Sequence, residues 1–519
     1  MKITFLSLIF CLAVTNICHS QTTFSKLYTN NDSMGLGYSI GIDDSAYYIV
    51  GLGNVDILGA TYVDLFFLKT DYFGNRITAK YYYGDFEHVF LPGYFNNLIV
   101  AEDYILHGGA FVEIDTLFPI NEEIKATYYK FDKNGDTTLT KKFIGRGYAE
   151  FKDIVYSTKN SSKYLSGYTR DTTIYDYYTY IVKLDANDSV LWEKTYREPF
   201  NDEIGNSVEL LNGDTVVAFS NYYYDELDIN IDGKINQINA LTGTETFEFK
   251  TGTLGRDQNF RGTVTTDKNY VVATQIMDTL INPGDYYYTS SITKMDLSGN
   301  IVWRKYFNNP YIQFFYTVRC FEDGSIVAVG IKVEDTTEVY HGYICKLNSE
   351  GDLIWEHTYS NNPLYYHLLF DFQKTPDGGY IVSGAGADGV EGAYEGPMWL
   401  LKLDSMGCLN PYCSDVAIND DLDIHEGAFT IYPNPITSIG VAEITVPQNL
   451  HLNYDITFSV NFLDLSGRVV SSYKNIAPLN AGAVIRFNVN LSDLPSGIYM
   501  AQLSYGATPV GTTKVVVVR

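Results

Sequence analysis

The chain has 519 residues, 45% of them hydrophobic, and its 36 Lys and Arg against 62 Asp and Glu leave a net charge of −26. So acidic a surface repels a phosphate backbone and keeps a protein soluble, which excludes nucleic acid as a partner. The 45 Tyr and 29 Phe suit pleated, half-buried strands, and the length exceeds what one core supports, so the composition implies an all-β protein of more than one domain.

Residues 1–20 carry one charge, Lys2, then an apolar run and a small residue, Ser20, before Gln21. This reads as a signal peptide, too short for a stable membrane span. Cys18 offers a lipidation site, but the bulky Ile17 before it argues for simple cleavage. No other run is long and apolar enough to cross a bilayer.

From 21 to 410 one short unit returns seven times, most clearly as ITKMDLSGNIVWRKYF from Ile292 to Phe307. Two alternating runs flank an Asp and a Gly, the chemistry of a tight hairpin. The turn residues Asp71, Asp132, Asp185, Asn239, Asp296, Asn348 and Asp404 follow one another at intervals of 52 to 61. Ahead of each hairpin lies a second pair of alternating runs, such as TVRCFEDGSIVAVG in the sixth unit. Four short strands in each unit of roughly 50 residues predict a seven-bladed β-propeller. The last unit stops at WLLKLD, and the early TTFSKLYT, Thr22 to Thr29, reads as its missing fourth strand, closing the ring. An open stack of units would instead need polar capping repeats, which the sequence lacks.

The segment TGTETFEFK and the pairs ending in Trp192 and Trp303 resemble quinoprotein-type, PQQ-like propeller repeats. That resemblance implies shape alone, because a quinone dehydrogenase would normally bring adjacent cysteines and dedicated metal ligands, and no vicinal cysteine pair is present. Cys320 and Cys345 read as small buried apolar residues, whereas Cys408 and Cys413 in CLNPYC can form a disulfide in an exported chain.

Residues 411–427 are largely acidic and aperiodic, a linker, and 428–519 open a different alternating pattern. Four blocks recur there in order: Tyr432, Pro433, Asn434 and Pro435; FLDLSGRVV with Asp464 and Gly467; LPSGIYMAQL with Gly497 and Tyr499; and TKVVVVR with Lys514 and Arg519. This segment resembles the type A C-terminal sorting domain of the type IX secretion system. The resemblance implies a small immunoglobulin-like β-sandwich, read by the secretion machinery and then removed, with the cargo secreted or attached to the outer cell surface. Pro433 and Pro435 restrict the backbone, and Gly467 and Gly497 suit hairpin turns.

Long, variable inserts follow the second strand of most units, so they gather on one face. Tyr177, Tyr178, Tyr223, Tyr224, Tyr287, Tyr288 and Tyr394 lie in or beside them. Tyrosines can stack on sugars or anchor a protein, which makes this face the expected binding surface for a glycan or protein ligand. Calcium is the one cofactor suggested: Asp228, Asn230 and Asp232 before Gly233 alternate as in the first half of a calcium loop, although position twelve is Asn239 rather than glutamate. No nucleophile elbow, zinc motif, phosphate loop or dinucleotide pattern occurs. The expected function is an exported binding module, with an extracellular polysaccharide hydrolase or lyase, built on paired carboxylates, as the alternative.

Overall fold

The computed structural model describes residues 23–28, 35–57, 60–82, 88–93, 96–114, 122–174, 176–197, 203–223, 231–252, 256–282, 285–307, 313–334, 339–360, 366–387, 397–409, 429–445, 458–464, 468–476, 484–505 and 508–519. Among them every regular element is a strand and there is no helix. The segments expected as a signal peptide, 1–20, and a linker, 411–427, lie wholly outside the described residues.

The repeated unit forms as its turn chemistry dictates. Asp285–Met295 and Ile301–Phe307 pair antiparallel. Between them the Asp296 carboxylate accepts the backbone N–H of Ser298 at 2.8 Å and of Asn300 at 2.9 Å. Gly299 takes a φ of 85°, which suits a residue without Cβ. Asp71, Asp132, Asp185, Asn348 and Asp404 each bind two backbone N–H groups in the same way. In the third unit Asp188 replaces the glycine at φ 63°, a conformation aspartate tolerates.

Seven small antiparallel sheets follow one another. The first joins Gly35–Ile42, Tyr47–Ile57, Ala60–Thr70 and Arg76–Tyr82. The second pairs His88–Pro92 and Leu98–Val100 with Tyr104–Ile114, then Glu122–Asp132 and Thr137–Phe143, so its first strand is broken in two. The third runs Gly147–Tyr156, Lys163–Asp171, Tyr177–Leu184, Val190–Tyr196, and the fourth Glu203–Asn212, Thr215–Tyr223, Ile231–Asn239, Glu245–Thr251. The fifth runs Arg256–Val264, Tyr270–Asn282, Asp285–Met295, Ile301–Phe307, and the sixth Gln313–Cys320, Ile326–Glu334, Val339–Leu347, Leu353–Tyr359. The seventh holds Tyr366–Lys374, Tyr380–Ala387 and Met398–Leu403, with Phe24–Tyr28 paired antiparallel on the last. A single parallel bridge, Tyr340 to Tyr366, links the sixth and seventh.

Each face of a sheet is apolar and buries itself against a neighbour. Seven hydrophobic clusters fill the seams, from Tyr48, Phe67, Ile105 and Phe131 between the first and second sheets to Ile40, Phe66, Ile381 and Leu400 between the seventh and first. At the outer edge, an aromatic residue of each of five fourth strands covers the turn glycine of the next sheet. Trp192 lies against Gly243, Phe249 against Gly299, Trp303 against Gly351, Trp355 against Gly407 and Phe24 against Gly74. Tyrosine hydroxyls four residues on often donate to the same glycine's carbonyl: Tyr196 to Gly243 at 2.8 Å, Tyr28 to Gly74 at 2.5 Å, and Tyr359 to Gly407. Phe24 and Tyr28 therefore do for the first sheet what Trp355 and Tyr359 do for the seventh.

At the inner edge, a β-bulge interrupts the first strand of six sheets at corresponding points. The residue behind it repeatedly bonds to the next first strand. Asn97 N–H donates to Ser39 Oγ at 3.1 Å, Val208 N–H to Asp153 at 2.9 Å and Ile40 N–H to Asp371 at 3.0 Å. Ser207 exchanges hydrogen bonds with the Gly262 backbone, and the Thr317 hydroxyl donates to Phe370 O at 2.8 Å.

The C-terminal segment forms two separate sheets, Phe429–Tyr432, Ile439–Thr445 and Val484–Asn490 in one, Phe458–Leu463, Val469–Ile476, Gly497–Tyr505 and Thr508–Val517 in the other. Their inner residues, among them Phe429, Ile444, Phe458, Phe462, Val489 and Val515, form one core. Cys408 is disulfide-bonded, while Cys413 lies outside the described residues; Cys320 and Cys345 are free thiols.

Truncating Trp355 to alanine should cost about 3–5 kcal/mol in denaturant unfolding. Tyr28→Phe should cost about 1 kcal/mol, and Phe73→Ala, at a residue 62% exposed, under about 0.5 kcal/mol. Asp188, receiving Lys163 at 2.7 Å, Lys130 at 2.9 Å and Tyr128 at 2.7 Å, is held below the usual carboxylate range, because these partners outweigh its burial. Its stabilisation is present above the unfolded pKa, so the advantage over Asp188→Asn should be full above about pH 4 and shrink as pH falls further.

Candidate functional site

In each antiparallel sheet the connections after the second and fourth strands leave at one end, where the long inserts lie. At that end of the third sheet side chains of three adjacent strands converge, with Lys152 reaching the fourth sheet and Tyr148 packed also against Ala110, Val112 and Ile124 of the second. Alternation places Tyr148 and Glu150 on one face of the first strand, Tyr168 and Arg170 on the second and Tyr177 on the third, with register pairs Glu150 to Tyr168 and Arg170 to Tyr177. Tyr148 and Tyr168 stack with ring centres 5.8 Å apart, and Tyr168 and Tyr177 meet at 5.7 Å. The Tyr168 hydroxyl donates to Glu150 at 2.9 Å, Arg170 sits over the Tyr177 ring at 5.4 Å, and Lys152 over Tyr168 at 5.1 Å.

Lys152 occupies the bulge of the first strand, and its ammonium donates to Asn206, in the corresponding bulge of the fourth sheet, at 3.5 Å. Asn206 donates in turn to Asn221 at 2.6 Å and to Phe260 O at 3.2 Å. Around the same inner edge the bulge residues of the sixth, seventh and first sheets are aromatic: Tyr316 to Phe370 and Phe370 to Tyr38 are both 5.1 Å. One side of the edge is thus aromatic and the other cationic and amide-bearing.

Burial tunes these groups. It pushes the Lys152 ammonium down to about 8, against the pull of Glu150 and with a further push from Arg261. It raises Glu150, although Lys152 and Tyr168 oppose it, and burial with the Glu150 charge lifts Tyr168 far above the ordinary phenol. Tyr168 is therefore a proton donor throughout the working range, while Lys152 can gain or lose a proton near neutrality. Deeper along the inner strands, burial brings Glu209 to about 7, and Arg319 pairs with the fully buried Asp371 at 2.7 Å.

Of the expected tyrosines, Tyr177 belongs to this cluster. Tyr178, on the opposite face of its strand, lies between Arg146 at 4.1 Å and Arg197 at 4.9 Å. Tyr223 ends the second strand of the fourth sheet, half-buried. Tyr287 and Tyr288 stand in the third strand of the fifth sheet, opposite Asp278 and Met277, and their side chains, like Tyr224 and Tyr394 altogether, lie outside the described residues. Of the calcium-loop residues, Asp228 and Asn230 also lie outside. Asp232 is in a strand opposite Tyr222, and the extended backbone continues through Gly233 to Asn239. Its carboxyl, raised by burial, is hydrogen-bonded to Asp257 of the next sheet.

Pro433, Asn434 and Pro435 are exposed, and Asn434 bonds to the last strand. Asp464 closes a hairpin by accepting the Arg468 N–H at 3.1 Å, while Gly467 lies outside the described residues. Gly497 opens a strand opposite Val517, Tyr499 donates to Pro495 O at 2.9 Å, and Lys514 pairs with Met500. Lys152, Glu150, Tyr168 and Arg170 were missed by sequence reasoning. Their signal was a charged pair, Lys152 and Asp153, inside the otherwise apolar strand FKDIVY.

No curated protein matches the chain in sequence. Among solved structures it is similar to an ulvan lyase of polysaccharide lyase family PL25, at 10% identity and TM-score 0.49 over 72% of this chain and 96% of that one. The polysaccharide lyase Uly1 gives 9% and 0.44 over 71% and 90%. A protein of unknown function from Dyadobacter fermentans gives 9% and 0.43 over 74% and 98%. These likenesses assign no activity. The family model described as a secretion system C-terminal sorting domain matches residues 430–518. This segment is a type IX C-terminal sorting domain, which engages the type IX secretion machinery, and the protein carrying it is secreted or attached to the cell surface.

Proposed function

We propose that the seven sheets are the blades of a closed propeller, with Phe24–Tyr28 as the outer strand of the last blade. On this reading residues 21–410 are cargo, joined through the 411–427 linker to the export address at 428–519, and the inner strands line a central channel. The seam from the seventh sheet back to the first, and the grip of Phe24 and Tyr28 on the Gly74 turn, support this closure. The quinoprotein-like repeat pattern agrees in shape and brings no cofactor with it.

The cargo is a glycan-binding module whose site is the crevice between the third and fourth blades, at the mouth of the channel. One observation carries this: half-buried Lys152 and Arg170 stand among three half-buried tyrosines in a protein of net charge −26. Cations held there at a cost in burial suit a carboxylate or sulfate, and tyrosine faces suit sugar rings. The ligand class is an acidic oligosaccharide.

A second reading is favoured by the contact of Tyr168 with Glu150 beside Lys152. A proton donor and a base that titrates near neutrality, flanking a bound uronate, are what cleavage of its glycosidic bond by elimination requires.

Calorimetry with uronate-containing oligosaccharides against neutral ones tests the site. Binding is expected for the first set only, weakened about 10–100-fold by Lys152→Met or Arg170→Met, the equivalent of about 1.5–3 kcal/mol per charged hydrogen bond. Because Lys152 loses its charge above about 8, wild-type affinity should fall as pH rises through that value, and the Lys152→Met variant should lack that step. Equal binding of neutral sugars would defeat the reading. On prolonged incubation, intact ligand supports a binding module, while unsaturated uronates that disappear with Tyr168→Phe would establish the enzyme.

A further inference from the structure

The end of the chain is held from the start of the sorting domain by the Asn434 side chain and, behind it, the Ile436 backbone. Asn434 donates from Nδ2 to the carbonyl of Lys514 at 2.6 Å and accepts the N–H of Val516 on Oδ1 at 2.8 Å. An amide side chain here makes the two hydrogen bonds that a neighbouring strand would make. Its flanking residues, Pro433 and Pro435, have no backbone N–H to offer, so the side chain supplies the donor. Two residues on, Ile436 N–H donates to Val516 O at 2.8 Å, and Val518 N–H donates to Ile436 O at 2.9 Å, forming a parallel bridge between Ile436 and Val517. Beyond it, Arg519 N–H donates to Ser496 Oγ at 3.0 Å.

These contacts decide what the terminal strand presents. Thr508–Val517 is the edge of its sheet, with Gly497–Tyr505 as its one ladder partner among the described strands, and an edge strand laddered on one side can slip or fray. A slip of one residue would exchange buried Val515 and Val517, at 0% and 1% exposure, with the outward Lys514 and Val516. Asn434 bonds to the backbone of the two outward residues, Lys514 and Val516, and together with the Ile436 bridge fixes the register, with Lys514 half-exposed and Arg519 exposed.

We propose that Asn434 is a positioning residue for export, clamping the terminal strand in the register that presents Lys514 and Arg519 to the secretion machinery. The clamp acts on the terminal strand and its two core residues, Val515 and Val517, while the rest of the sandwich core packs without it. Asn434 is exposed, whereas the core is built from Phe429, Phe458, Phe462, Val489 and their neighbours.

The test uses the full chain expressed in a host with a working type IX system, reading the exported fraction against the periplasmic one, with hydrogen exchange on the purified protein. Asn434→Ala is expected to lower export about tenfold or more and to speed exchange at Lys514 to Val518, leaving Phe458–Leu463 protected. Asn434→Asp keeps the acceptor for Val516 and loses the donor to Lys514, and should fall between. Tyr473→Phe removes the hydroxyl that donates to the Asn490 carbonyl at 2.9 Å and accepts the Asn490 N–H, elsewhere in the sandwich, and should export normally. Normal export of Asn434→Ala would overturn the proposal. So would an equal export loss in Tyr473→Phe, or a loss of protection in Asn434→Ala that reaches Phe458–Leu463.

Discussion

The structure depends on the grip that one sheet's outer strand takes on the turn of the next. A four-stranded sheet of short strands is marginal alone, since both of its faces are apolar and each must find a neighbour. The turn glycines let this happen: at φ between 68° and 86°, Gly74, Gly243, Gly299, Gly351 and Gly407 leave room for an aromatic ring where a Cβ would collide with it. Trp192, Phe249, Trp303, Trp355 and Phe24 fill that room in turn. The repetition extends to a segment whose partner strand, Met398–Leu403, is far away in sequence, because Trp399 donates to Ser25 at 2.9 Å, 374 residues apart, and Phe24 to Tyr28 continue the ladder.

Against that regular exterior the inner strands are expensive. Burial works against the charge of Lys152, Asp153 and Glu209, although Asp153 also ties its sheet to the next by accepting the Val208 N–H. Lys152 and Glu150, beside the stacked tyrosines, are where a ligand is expected to repay such a cost. The bulges are what bring them there. By adding one residue to a first strand, each bulge turns a side chain that alternation would hide in a seam towards the inner edge.

This also explains which parts could be read from the sequence. The hairpins were legible because Asp296 and Gly299, or Asn348 and Gly351, are local signals whose chemistry is settled within five residues. The role of Phe24 to Tyr28 was legible because a strand was missing from the last repeat. The sorting segment was legible from its four blocks, although nothing in them revealed that Asn434 would reach Lys514 and Val516, contacts 80 and 82 residues away. The crevice was not legible, since a bulge shifts the alternation by one residue and leaves no mark in composition. Nor was the partner of Asp232: the spacing suggested a loop, whereas the backbone is extended there and the nearest carboxyl comes from another sheet.

The central claim is that the two extremities of the repeat region share one sheet. Hydrogen exchange of the exported protein measures this directly. If Phe24–Tyr28 completes the seventh sheet, its amides should exchange as slowly as those of Met398–Leu403 and lose protection in the same unfolding step. Exchange of residues 24–28 at the rate of a free chain, while 398–403 stays protected, would contradict the account.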